Sequence, residues 1–203
     1  AKTALSILAS DPNQALKAEI AREGETNAQQ GSTNCDSGVA VELRNVTFSF
    51  NDSPKPVVRG INLRISPGSQ VALMGPSGAG KSTLADIMCA VLEPNSGEVL
   101  IDGVNAFSSK PRLSSISYVP QNPGLVSGTI SDNVALGIAK EQVNDDGVRL
   151  ALAHAHLLDV IENLAEGINA PLGKLLDGLS GGQVQRLGLA RALYNKPGLL
   201  VMD

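Results

Sequence analysis

Apolar and polar residues alternate along "VAVELRNVTFSF", residues 39–50. Val41, Leu43, Phe48 and Phe50 fall on one two-residue register that breaks near Asn45, which predicts a half-buried strand with an irregularity. "NDSPKP" is a turn cluster, "INLRI" alternates again, and "SPGS" turns the chain once more. "QVALM", residues 70–74, is a continuous apolar run of the kind that forms a fully buried strand. The pattern then switches to helical spacing in "KSTLADIMCAVL", with Leu84, Ile87, Met88 and Val91 on one side. "GEVLIDG" and "SSISYVP" predict further strands. "TISDNVALG" and "EQVNDDGVRLALAHAHLLDVIENL" predict helices, the latter with a soft point at Gly147. "GGQVQRLGLARALYN" is helical, with Val184, Leu187, Ala190, Leu193 and Tyr194 along one face, and "GLLVMD" predicts a final buried strand. Strands that look antiparallel come first and strands alternating with helices follow, which predicts an α/β core fronted by a β subdomain.

The first 38 residues differ. "AKTALSILAS" carries Leu5, Ile7 and Leu8 and predicts a short amphipathic helix that stops near Asp11-Pro12, with "NQALKAEIAREGE" adding a further turn or two. Residues 26–38, "TNAQQGSTNCDSG", are almost wholly small and polar, which predicts a linker.

Composition narrows the classes. The chain is 203 residues long, 42% hydrophobic and 18% charged, which fits one domain with an appendage. A net charge of −4 and scarce aromatics (three Phe, two Tyr, no Trp) argue against a protein built to grip nucleic acid. Cys35 and Cys89 make neither a disulfide framework nor a metal cluster, so a reduced chain is expected. No apolar run is long enough to span a bilayer.

Chemistry concentrates in "GPSGAGKST", comprising Gly75, Pro76, Ser77, Gly78, Ala79, Gly80, Lys81, Ser82 and Thr83. The spacing Gly75-x-x-x-x-Gly80-Lys81-Ser82 between a predicted strand and a predicted helix is the Walker A pattern. Glycines let the backbone wrap phosphate oxygens, and consecutive N–H groups lead into a helix N-terminus that favours anions. Lys81 is expected to reach the β and γ phosphates, and the Ser82 hydroxyl to ligate Mg²⁺. "GLLVMD" has the Walker B form, an apolar strand ending in an acid, so Asp203 is expected to hold Mg²⁺ through water. In "LSGGQVQR", Ser180, Gly181, Gly182 and Gln183 open a helix and present a hydroxyl and bare N–H groups, a second anion site in one chain.

"LSGGQ" resembles the signature motif of the ATP-binding cassette (ABC) family. Three further features resemble the same family. Gln121 in "YVPQNP" matches the Q-loop glutamine that senses Mg²⁺ and the γ-phosphate. Phe50 in "VTFSF" matches the aromatic that stacks on adenine, and "SGTISDNVALG" resembles the exporter type. The resemblance covers residues 39–203. It implies a P-loop NTPase core with an N-terminal antiparallel β subdomain and a helical signature subdomain, ATP and Mg²⁺ as ligands, and a head-to-tail pair of such domains, identical or not. It implies that residues 1–38 are the tail of a membrane-domain helix and a linker. A transmembrane domain is expected upstream in the same polypeptide, with this chain at the cytoplasmic face of the membrane. The function it implies is ATP hydrolysis that powers export. The rivals are a soluble ABC ATPase acting on DNA or ribosomes, and a module that binds ATP without turnover.

Two departures from the family pattern stand out. Lys174 and Leu176 replace the Glu and Gly expected just before the signature in exporters. The chain ends at Asp203, so the general-base Glu and the switch His of the family are not in it, and little hydrolysis is expected from these residues alone. His154 and His156 precede the signature and read as ordinary helix residues.

Overall fold

A computed structural model describes residues 3–8, 17–22, 38–51, 55–108, 116–172 and 179–203. Much of the predicted linker, Cys35, Lys174 and Leu176 lie outside the described residues. The chain forms two compact units, residues 1–116 and 117–203.

In the first unit, β1 (Thr3–Leu8) and β2 (Lys17–Arg22) pair antiparallel, with Leu5 opposite Ile20. This corrects the helix expected there. As a sequence "TALSIL" alternates and so suits a strand as well as a helix, and the backbone settles the choice by pairing with a neighbour.

A four-stranded antiparallel sheet follows, in the order β4 (Val58–Ile65), β3 (Val41–Phe48), β5 (Ser96–Ile101), β6 (Val104–Asn105). Its buried face carries Val41, Leu43, Val46 and Phe48 from β3 and Val58, Ile61, Leu63 and Ile65 from β4. The irregularity expected near Asn45 is present: Asn45 has φ 48, and β3 slips register there against both neighbours. The close approach is permitted by Gly97, where a Cβ would sit 2.5 Å from the Arg44 and Asn45 carbonyl oxygens.

Residues 70–74 are not a strand. Met74 is 52% exposed, and no strand among the described residues pairs with this run. A buried strand draws its backbone hydrogen bonds from flanking strands, which an apolar run cannot supply for itself. The helix α1 (Lys81–Met88) forms as expected and buries Leu84, Ile87 and Met88. Val91 falls beyond it and is exposed, because Ala90 turns the chain with φ 57. Cys89, at the end of α1, has its thiol pushed up to about 12, by burial first and by the Asp86 charge second, which leaves it unreactive.

In the second unit, β7 (Ile116–Val119) and β8 (Leu199–Met202) pair, and the Asp203 N–H donates to the Val119 carbonyl at 3.0 Å, so the strands finish side by side. β8 is half-buried rather than buried, because β7 is its only partner among the described residues, and Met202 is exposed. The core is helical: α2 (Ile130–Val134), α3 (Asp145–His154), α4 (Leu158–Glu162) and α5 (Gly181–Tyr194) enclose Ile130, Leu152, Leu157, Ile161 and Leu187.

The long helix expected over residues 141–164 is broken into three pieces, a 3₁₀ turn at Lys140–Gln142, then α3 and α4. Gly147 is not the break. It sits in the first turn of α3, its N–H donates to the Asn144 side chain, and its missing Cβ makes room for the Tyr194 ring. Asn144 starts α3 as its N-cap, and His156, with φ 52, separates α3 from α4. His154 ends α3, and both His side chains are exposed.

Candidate functional site: two helix N-termini

The phosphate-loop candidate belongs to the first unit. Gly78 (φ 79) and Gly80 (φ 86) hold left-handed conformations that glycine adopts without strain. Gly80 is also the N-cap of α1, and a Cβ there would lie 2.9 Å from the Val57 carbonyl oxygen. Glycine brings no side chain to cap the helix, and the first turn holds no acidic residue. The amides that open α1 therefore keep their capacity for an anion. Lys81 folds back over the loop, its Nζ donating to the carbonyls of Gly75 (3.0 Å) and Pro76 (2.8 Å), so the ammonium already sits against the loop it is expected to serve. Ser82 and Thr83 follow in the first turn of α1.

Phe50 lies just past β3 and is 49% exposed, edge-on to Phe48 at 5.0 Å between ring centroids. Its ring is therefore open to a partner rather than sunk in the core. Its position is set by Asn95, whose Oδ1 accepts from the Ser49 N–H and whose own N–H donates to the Thr47 carbonyl.

The second unit carries Gln121, Asp203 and the signature residues. Gln121 follows β7 by two residues and is exposed, on the same strand end that brings Asp203 beside Val119. Ser180 caps α5 through a reciprocal box: its Oγ accepts from the Gln183 N–H, and its own N–H donates to Gln183 Oε1 at 2.7 Å. Gly181 and Gly182 are exposed, with open space where a Cβ would stand. Ser180 keeps its hydroxyl proton, because the box uses only an acceptor lone pair.

The apolar face expected on α5 is present from Leu187 onward, with Leu187 and Ala190 buried and Leu193 and Tyr194 packed against the core, whereas Val184, in the first turn, is only half-buried and outside that core. A second face went unread in the sequence. Gln185 Nε2 donates to the Gln121 carbonyl at 3.2 Å, and Gly188 lies against Pro123. Arg191 donates to the Gly124 carbonyl (2.8 Å), the Asn133 carbonyl (2.8 Å) and Asn133 Oδ1 (3.1 Å). Burial lowers the guanidinium pKa of Arg191, a desolvation offset by those three acceptors. Arg186 adds a bond to the His156 carbonyl at 3.0 Å, fixing the joint between α3 and α4. Among the described residues no cluster of three or more His, Cys, Asp or Glu could hold a metal. No helix among them is long and apolar enough to cross a membrane.

Comparison with known proteins bears on this geometry. The family profile "ABC transporter" matches residues 58–203. The chain is 39% identical to the colicin V secretion/processing ATP-binding protein of Escherichia coli, over 81% of this chain and 24% of that protein. It is 39% identical to ABC transporter B family member 29, chloroplastic, of Arabidopsis thaliana, over 80% of this chain and 26% of that protein. A solved structure titled "Structure of a bacterial Atm1-family ABC exporter with ATP bound" superposes with a TM-score of 0.72 at 34% identity, covering 82% of this chain and 29% of the other. The chain thus spans about a quarter of the length of these relatives. With the family profile matching residues 58–203 and a solved exporter superposing over 82% of it, the chain belongs to the ABC transporter family.

Proposed function

We propose that this chain is the ATP-binding and hydrolysing domain of an exporter, and that two such domains close on ATP to drive transport. The observation that carries it is the glycine-capped start of α1, with Lys81 folded against the loop. The amides of residues 78–83 cradle the β and γ phosphates, Lys81 moves from its two carbonyls to those oxygens, and the helix N-terminus adds its partial charge. Phe50 offers a half-exposed ring to adenine. Ser82, Gln121 and Asp203 offer hydroxyl, amide and carboxylate oxygens, a hard donor set that suits Mg²⁺. Bound there, Mg²⁺ supplies neutralisation of the charge that develops on the β and γ oxygens. Ser180, Gly181, Gly182 and Gln183 contact the γ-phosphate held by the partner domain. That partner is a second domain of this kind, and this domain sits at the cytoplasmic face of a membrane, joined to a transmembrane domain. Residues 39–203 form the ATP-binding domain, and residues 1–38 connect it to the membrane part. The secretion and exporter relatives favour transport over action on DNA or ribosomes.

Titration of Lys81→Ala with a fluorescent ATP analogue is the test. Loss of a charge-assisted contact predicts an affinity about 10- to 100-fold weaker. Unchanged affinity removes Lys81 from the site and the phosphate-loop assignment with it.

A further inference from the structure

We infer that Gln185, Gly188 and Arg191 form a clamp on α5 that fixes the backbone of residues 121–126, so that Gln121 and the signature Ser180 are carried by one rigid piece. The inference rests on the role proposed above for Gln121.

Residues three apart on a helix lie on one side of it, each step rising about 4.5 Å. The loop runs along that side. Gln185 holds the carbonyl of Gln121 at 3.2 Å. Gly188 holds Pro123, which is buried; a Cβ at 188 would stand 2.5 Å from Pro123 Cγ. Arg191 holds the carbonyl of Gly124 at 2.8 Å. The loop is then tied a second time through Asn133. That side chain is fully buried, accepts the Val126 N–H at 2.9 Å, and donates to the carbonyls of Val126 (2.9 Å) and Thr129 (3.0 Å). Arg191 grips Asn133 at both its carbonyl and its Oδ1, so one guanidinium uses three nitrogens to join α5, the loop and α2.

Three of these side chains, Gln185, Arg191 and Asn133, act through directional bonds to backbone atoms. Such bonds fix where a loop lies along a helix, whereas apolar contact fixes only that it lies there. The planar fork of Arg191 cannot be reproduced by lysine, which offers a single point charge. Proline at 123 removes one rotatable φ from the clamped stretch, which stiffens it further. Gln185, Gly188 and Arg191 are thus positioning residues: Gln185 acts on the Gln121 backbone directly, and Gly188 and Arg191 act on it through Pro123 and Gly124.

The test pairs hydrogen exchange on the 203-residue chain with steady-state ATP hydrolysis by the full protein, using Gly188→Ala, Arg191→Lys, Gln121→Ala and the Gln121→Ala/Gly188→Ala double variant. Gly188→Ala and Arg191→Lys are expected to speed amide exchange across residues 121–126 by about tenfold, with the amides of α3 unchanged. They are expected to lower kcat by about tenfold with KM for ATP nearly constant, because misplacement affects the reacting geometry more than binding. The double variant is expected to be no slower than Gln121→Ala alone, since the clamp works through Gln121. Unchanged exchange at 121–126 in folded variants, a raised KM at constant kcat, or multiplicative losses in the double variant would each overturn the inference. Should Arg191→Lys fail to fold, Gln185→Ala carries the same measurements. Full turnover by Gln121→Ala would sink the proposed role of Gln121 instead, while faster exchange in Gly188→Ala would still uphold the clamp.

Discussion

The two helix N-termini proposed to meet phosphate are built in opposite ways. At α1 the cap is Gly80, left-handed and without a side chain, so the first-turn amides are served by nothing on their own helix cap. At α5 the cap is Ser180, extended, and closed into a box with Gln183. The first design caps the helix with no side chain and lets the loop wrap around whatever anion arrives. The second satisfies its own backbone and keeps one hydroxyl proton beside two bare glycines. A wrapping end suits tight, single-chain binding of a triphosphate. A self-capped end suits a contact that is made and broken while the helix stays folded.

The largest effect is expected at Gly80. Gly80→Ala places a Cβ against the Val57 carbonyl in a backbone with φ 86, and strain of this kind costs about 1–3 kcal/mol. Urea denaturation should show that loss, and nucleotide titration should show weakened ATP binding beyond it. A variant of wild-type stability that binds ATP normally would mean the left-handed cap is not required.

At the other helix, Ser180→Arg should cost about 1 kcal/mol through the lost cap. It should spare ATP binding by a single chain, but prevent ATP-driven pairing by replacing a hydroxyl with a bulky cation. Size-exclusion chromatography with trapped ATP reads this directly, and normal pairing would refute the shared site.

The smallest effect separates two capping boxes. The box of α5 uses neutral Gln183, whereas that of α2 uses Asp132, whose carboxyl is held below its usual range by hydrogen bonds from the Thr129 N–H and side chain. A depressed carboxyl contributes stability above its unfolded pKa and loses it as pH falls through the folded value. Stability should therefore decline on acidification below the ordinary carboxylate range, and less so in Asp132→Asn. Equal slopes in urea midpoints for the two proteins over roughly pH 3–7 would contradict that, because linkage requires the slopes to differ.

The same contrast explains how far the sequence could be read. Both helix starts were visible because caps and glycine loops are local: "GAGKS" and "LSGGQ" carry their geometry within five residues. The break at Asn45 was visible for the same reason. Residues 70–74 misled because a strand depends on neighbours that the run itself does not contain, and "TALSIL" misled because its apolar residues satisfy two periodicities at once. The joint at His156 gave no signal, since a left-handed histidine looks like any other. The clamp was missed because its signs are polar or absent side chains, Gln185, Gly188 and Arg191. The apolar face of α5, Leu187 and Ala190, drew the reading to its other side. A glycine midway between two polar residues at three-residue spacing was the clue available.

The amide spectrum of the chain during a Mg-ATP titration tests the division of labour between the two helix starts most directly. The amides of residues 78–83 should shift at low ATP, at any protein concentration, and those of 181–183 only as pairing sets in at higher protein concentration. Shifts at 181–183 in the dilute monomer, with 78–83 unmoved, would contradict it.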